Sequence, residues 1–169
     1  MKKITHFMMA AAVMLASFSF VACGKDDEKE NKYEESNSYA IYHEGRALAA
    51  GETITITPSE EQRQLMDVEA DIYMYNKTEN TLNTCFKVEL AEGPESMKNE
   101  APVCYGVCQT QQLPYIHEPI SLAPGLDSKP IQVHVYMDMH ETHTGTYRIT
   151  VGEGTSLANP QVCYIKFNW

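Results

Sequence analysis

The run Met66–Tyr75, MDVEADIYMY, changes character at nearly every step: Val68, Ala70, Ile72 and Met74 fall on one side, acids and tyrosines on the other. A period of two belongs to a strand with one buried face, whereas an amphipathic helix repeats its apolar positions at three and four. The same beat recurs along the chain. ETITITPS sets Ile54 and Ile56 against Thr53, Thr55 and Thr57, and CFKVEL groups Phe86, Val88 and Leu90. PISLAPG is a short strand closed by Pro124-Gly125. IQVHVYM aligns Ile131, Val133, Val135 and Met137, and TYRITV aligns Tyr147, Ile149 and Val151. QVCYIKFNW aligns Cys163, Ile165, Phe167 and Trp169. Turn residues separate the runs, among them Asn76 to Asn80, Gly93-Pro94, Gly145, Gly152 to Gly154 and Asn159-Pro160. Seven or eight short strands at about ten-residue spacing predict an all-β antiparallel sandwich. No segment carries a helical stripe. SEEQRQLM, Ser59 to Met66, has a Ser59/Gln62 capping pair but reads as a strand-connecting loop. There is no internal repeat and no phosphate-binding glycine loop.

The first thirty residues, MKKITHFMMAAAVMLASFSFVACGKDDEKE, belong to a different physical regime. Lys2 and Lys3 precede an apolar run from Phe7 to Ala22, shorter than the roughly 20 residues a bilayer crossing takes. A basic start, apolar middle and small residues at the end predict a removable export signal over residues 1–22. Phe20-Val21-Ala22-Cys23 resembles the lipobox of bacterial lipoproteins, with Cys23 the lipidated residue; Phe20 stands where leucine is usual. The following Lys25-Asp26-Asp27-Glu28-Lys29-Glu30 resembles the surface-export signal of Bacteroidota lipoproteins. Buried acyl methylenes then supply membrane affinity, so membrane contact is expected through the lipid anchor only. Residues 23–37 read as a lipidated, flexible acidic tether, and 38–169 as one β-sandwich domain with room for a real core. Removal of the leader leaves 11 basic against 23 acidic residues, a net charge of about −12. Such a surface repels phosphate backbones and argues against nucleic-acid binding.

VCYGVC, the strand around Val133, HTGTYRITV and the closing NPQVCYIKFNW together resemble the immunoglobulin-like β-sandwich domains of Bacteroidota cell-envelope lipoproteins, over about residues 66–169. The resemblance implies an immunoglobulin-like topology and an envelope location. It brings no fixed catalytic set.

With Cys23 assigned to lipid, Cys85, Cys104, Cys108 and Cys163 remain, an even count suited to disulfides in an oxidising compartment. Gly106 lets the chain reverse between Cys104 and Cys108, so these two are read as a local staple rather than a redox centre or a metal half-site. Cys85 and Cys163 are left for each other. Parity opposes them, because Cys85 alternates with Lys87 and Glu89; a bulge near Asn83-Thr84 would reconcile the pair.

Exposed aromatics are what sugars and protein partners stack on, which marks Tyr105, Tyr115 and Tyr136 as possible ligand contacts. Carboxylate pairs such as Asp67-Glu69 read as a solvated face, and no serine sits in a nucleophile elbow. The expectation is a cofactor-free, non-enzymatic binding or assembly module on the outer membrane, at the cell surface rather than the periplasmic face, with a protein or glycan partner. The alternative is an envelope protein holding copper or zinc through His134, His140 and His143, with Met139.

Overall fold

A computed structural model describes residues 33–99, 101–136 and 143–169. The chain forms β1 (Tyr39–His43), β2 (Arg46–Leu48), β3 (Glu52–Ile56), α1 (Glu60–Leu65), β4 (Asp67–Asn76), β5 (Leu82–Glu92) and α2 (Ser96–Asn99). It continues with β6 (Ala101–Tyr105), β7 (Val107–Gln111), β8 (Tyr115–Ile116), β9 (Ile120–Leu122) and β10 (Gly125–Leu126). The closing strands are β11 (Ile131–Tyr136), β12 (Thr144–Glu153) and β13 (Ala158–Asn168). One sheet runs β2-β1-β4-β11-β6-β7, with β10 also on β4. The other runs β3-β13-β12-β5-β8, with β9 also on β5. The two layers form an all-β, immunoglobulin-like sandwich. The described residues divide into thirteen strands because short pieces such as β8, β9 and β10 hydrogen-bond separately along β4 and β5. Pairing is antiparallel except between β3 and β13, which run parallel.

The alternating side chains decide which face turns inward. Val68, Ala70, Ile72 and Met74 of β4 and Ile131, Val133 and Val135 of β11 meet Phe86 and Val88 of β5. Tyr147, Ile149 and Val151 of β12 and Cys163, Ile165 and Phe167 of β13 complete that layer. Each of these side chains is at most 3% exposed. Burying a large apolar side chain contributes about 1.5–3 kcal/mol, so this interlayer seam holds the two sheets together.

Two boundaries differ from expectation. Ser59–Met66 is not a loop. It holds the short helix α1, because the Ser59 hydroxyl accepts from the Gln62 amide while the Gln62 side chain accepts from the Ser59 amide. Ordered structure also starts before residue 38. Ser36 is buried and its amide donates to Gln161 Oε1 at 2.9 Å. The Glu35 carboxylate accepts from the Ala50 amide at 2.7 Å and from Gln161 Nε2 at 3.1 Å, and the Tyr33 and Tyr164 hydroxyls meet at 2.7 Å. Polar composition suggested a tether here, but specific hydrogen bonds fasten residues 33–37 to the sandwich. Cys23 and the export leader lie outside the described residues.

Candidate functional site

The first sheet ends at β7 and the second at β8, and the side of the sandwich between these edges is a cleft of about 590 Å³. Strand register explains its walls. Tyr105 is opposite the inward-facing Ile131, and Tyr115 is opposite the inward-facing Val88. Both tyrosines therefore point into the space between the layers. The His117 amide donates to the Phe86 carbonyl at 2.9 Å and carries the histidine along the same face. The His117 ring stacks on Phe86 with centroids 4.7 Å apart, and Tyr105 meets it edge-on at 5.1 Å. Phe86 also touches Tyr105 at 5.7 Å and Tyr115 at 6.4 Å. Gln109, Gln111 and Glu118 complete the lining with amides and a carboxylate.

Hydrogen bonds hold these rings in place. The Tyr105 hydroxyl donates to Asp127 at 2.5 Å, and the Lys129 ammonium lies 5.7 Å from its ring centroid. Burial, reinforced by the Asp127 carboxylate, pushes the Tyr105 phenol well above the ordinary tyrosine range. Burial likewise raises Tyr115, with Glu118 adding to it. Both rings are thus neutral, oriented contact surfaces at physiological pH. His117 Nδ1 lies 2.7 Å from the Glu118 carbonyl, which only accepts, so that nitrogen carries the proton.

The expected site residues are distributed unevenly. Tyr105 and Tyr115 converge in the cleft. Tyr136 does not: it sits at the far end of β11 from Ile131, opposite Asp67, and is 68% exposed. Phe86 is legible in the sequence as a core side chain only, and His117 carries no expected role there. The same-face spacing of Tyr115 and His117 was a usable signal, but the approach of Phe86 depends on strand pairing.

Cys104 and Cys108 are disulfide-bonded, as expected, and face each other across the β6–β7 hairpin around Gly106 at φ +75°. Their Cα atoms are 3.9 Å apart. The expected Cys85–Cys163 bridge is not made, and both are buried free thiols. Cys85 pairs with Gly152 of β12 while Cys163 pairs with Ile149 of the same strand, so β12 runs between them. Two strand spacings amount to about 10 Å, beyond the reach of a disulfide. The β5–β12 register is also regular from Thr84 to Leu90, with no bulge to turn Cys85 inward, so the thiols occupy opposite faces of the sheet.

His134 lies on the outer face of the first sheet, beside Asp67 and Glu69 of β4. His143 belongs to the other sheet, where its backbone exchanges hydrogen bonds with Trp169. His140 and Met139 lie outside the described residues.

No family model and no curated protein matches the sequence. Among solved structures, the N-terminal domain of PorA is similar at TM-score 0.58 and 14% identity, covering 77% of this chain and 96% of that domain. The CooA pilin subunit from enterotoxigenic Escherichia coli aligns at TM-score 0.42 and 6% identity, covering 78% of this chain and 97% of the pilin. A PapD-like domain of human CEP192 aligns at TM-score 0.36 and 9% identity, covering 95% of this chain and 96% of that domain. The likeness to the PorA domain is one of fold.

Proposed function

We propose that the chain is a lipid-anchored outer-membrane protein whose sandwich is a non-catalytic binding module, with the β7–β8 cleft as its ligand site. The observation that carries this reading is the convergence of Tyr105, Tyr115 and His117, backed by the buried Phe86, at an open side of the sandwich flanked by polar amides. Aromatic faces take the C–H faces of a sugar or the apolar parts of a peptide. Gln109, Gln111 and Glu118 supply donors and acceptors matched to hydroxyl groups, so the ligand class the walls favour is a saccharide. A glycan array with the full-length, detergent-solubilised protein, followed by calorimetry on the hits, tests this. Tyr115→Ala is expected to lower affinity by about tenfold or more, as loss of an aromatic anchor does. An array without hits, together with pull-down of a defined protein whose binding needs Tyr115, replaces the saccharide with a protein ligand. Binding indifferent to Tyr115 removes the cleft from the proposal.

The anchor is tested separately. Cys23→Ser is expected to release the protein from the membrane fraction and to abolish the lipid mass increment; an unchanged mass and membrane association would refute the lipobox. Protease digestion of intact cells, with the sandwich cleaved, is expected for the surface-facing orientation.

A further inference from the structure

The outer face of the first sheet carries a group of donor atoms separate from the cleft. Cys104 of β6 is opposite Gln132 of β11, and His134, two residues further on, shares that outward face. One ligand atom from each of Cys104, Cys108 and His134 lies within 4.8 Å of the other two. From the β4 side, Glu69 Oε2 is 3.4 Å from His134 Nε2, and Asp67 Oδ1 is 3.3 Å from His134 Nδ1.

The histidine's two nitrogens have different surroundings. Nδ1 has a hydrogen-bond partner in the Asp67 carboxylate, which selects the tautomer with the proton on Nδ1. Nε2 is buried and has no hydrogen-bond partner, although the Glu69 carboxylate is close. In that tautomer a lone pair faces a carboxylate, an arrangement of two acceptors that a cation between them would satisfy. A carboxylate on the non-ligating nitrogen is also how metal-binding imidazoles are commonly held.

We propose that Cys104, Cys108, His134 and Glu69 form a redox-gated site for a divalent ion of zinc type, closed by the disulfide and opened by its reduction. Two sulfurs, an imidazole and a carboxylate are a donor set suited to tetrahedral Zn²⁺, and cysteines four positions apart fall within the spacing such sites use. The reductant is a dithiol. Its thiolate attacks the exposed Cys108 sulfur, the disulfide breaks and Cys104 leaves as a thiolate that takes up a proton. The dithiol's second sulfur then closes its own disulfide and frees Cys108 as a thiol. Two electrons have passed from the dithiol to the cysteine pair. The metal ion displaces one proton from each thiol to solvent and gains two thiolates. Cys108 is solvent-exposed and Gly106 is the single residue linking β6 to β7, so the sulfurs can be reached and can separate. Bringing the histidine nitrogen from within 4.8 Å of the sulfurs to tetrahedral contact asks for about 1 Å of movement, while the reduced sulfurs part from bonding distance and Glu69 enters from the His134 Nε2 side. Cys85 and Cys163, on opposite faces of the other sheet, cannot share an ion.

Cobalt(II) is the probe, added to the full-length protein before and after dithiol treatment and removal of the dithiol. The reduced protein is expected to take up one Co²⁺ per chain, with thiolate-to-cobalt charge-transfer absorption and the visible bands of a tetrahedral ion. Zn²⁺ should bleach both, and the disulfide form should show neither. Cys108→Ser, His134→Asn and Glu69→Gln are each expected to weaken uptake by about tenfold or more. The Glu69 side chain is 48% exposed, so that variant should retain the fold and report on ligation. Reduced protein that takes up no stoichiometric cobalt overturns the site; His134 is then an imidazole beside two carboxylates. Uptake unchanged in both His134→Asn and Glu69→Gln also overturns it.

Discussion

Gly152 and Gly145 both stand where the sequence calls for turns, yet the folded protein needs them for different reasons. A Cβ on Gly152 would lie 2.7 Å from the backbone of Leu157, which β12–β13 pairing holds in place. A Cβ on Gly145 would clash with the terminal atoms of Met97, a thioether that can swing aside, and lie at ordinary contact, 3.8 Å, from the Glu92 carbonyl. Gly152→Ala is therefore expected to cost about 2–3 kcal/mol and Gly145→Ala less than about 1 kcal/mol, read from denaturant midpoints. Equal losses at the two positions would contradict this account. Gln161 acts at the same scale through polarity. Its side chain is fully buried, accepting from the Ser36 amide and donating toward Glu35. Gln161→Leu keeps the volume but strands the Ser36 amide, so a loss of about 1–3 kcal/mol is expected. If residues 33–37 were only a tether, the same substitution would leave stability unchanged.

Among elements, the β6–β7 hairpin is held to the core through β6 alone, since β7 buries no side chain. Its outer strand is exposed from Val107 to Thr110, and Cys104 and Cys108 tie it to β6. Loop-closure entropy for so short a ring is about 2 kcal/mol, well under what a long loop gives. Cys104→Ala with Cys108→Ala is expected to lower unfolding free energy by about that amount. Proteolysis should then begin in the hairpin, near Val107. Unchanged stability would mean that hairpin register alone holds the edge. β8, which forms the other wall of the cleft, is only two residues long and relies on its pairing with β5. Cleft geometry is therefore set by β5 and β6, the strands against which β8 and β7 pair.

The whole molecule hides several acids that ionise only at alkaline pH. Burial raises Cys163, Tyr147, Tyr105, Tyr39, Tyr115, Tyr164 and Cys85 above their ordinary values. In the unfolded chain these groups lose protons near their ordinary values, about 8.5 for thiols and 10 for phenols. The folded state still holds those protons, so it binds more of them than the unfolded state and stability falls as pH rises. The protein is expected to be fully stable below about pH 8 and to lose stability progressively above it, with urea midpoints at pH 7.5 and 10.5 as the measurement. A midpoint flat across that interval would contradict the burial of these groups.

Which side chains face inward on the main strands is written in the order of residues alone. Alternation is a local property, and a strand's two faces differ by one residue step whatever its neighbours are. Val68 through Met74, Ile131 through Val135 and Tyr147 through Val151 were legible for that reason, as was the Cys104–Cys108 staple, which spans a single turn. Partner choice was not local. That β12 runs between Cys85 and Cys163, that β3 lies parallel to β13, and that Tyr33–Asn37 joins the domain all follow from contacts distant in sequence. The cleft belongs to this second kind. Phe86, Tyr105, Tyr115 and His117 sit on β5, β6 and the β8 segment, and only the stacking of two sheets whose edges lie on the same side brings them together. Period two assigns each ring to a face; which faces meet is settled by burying all of them at once.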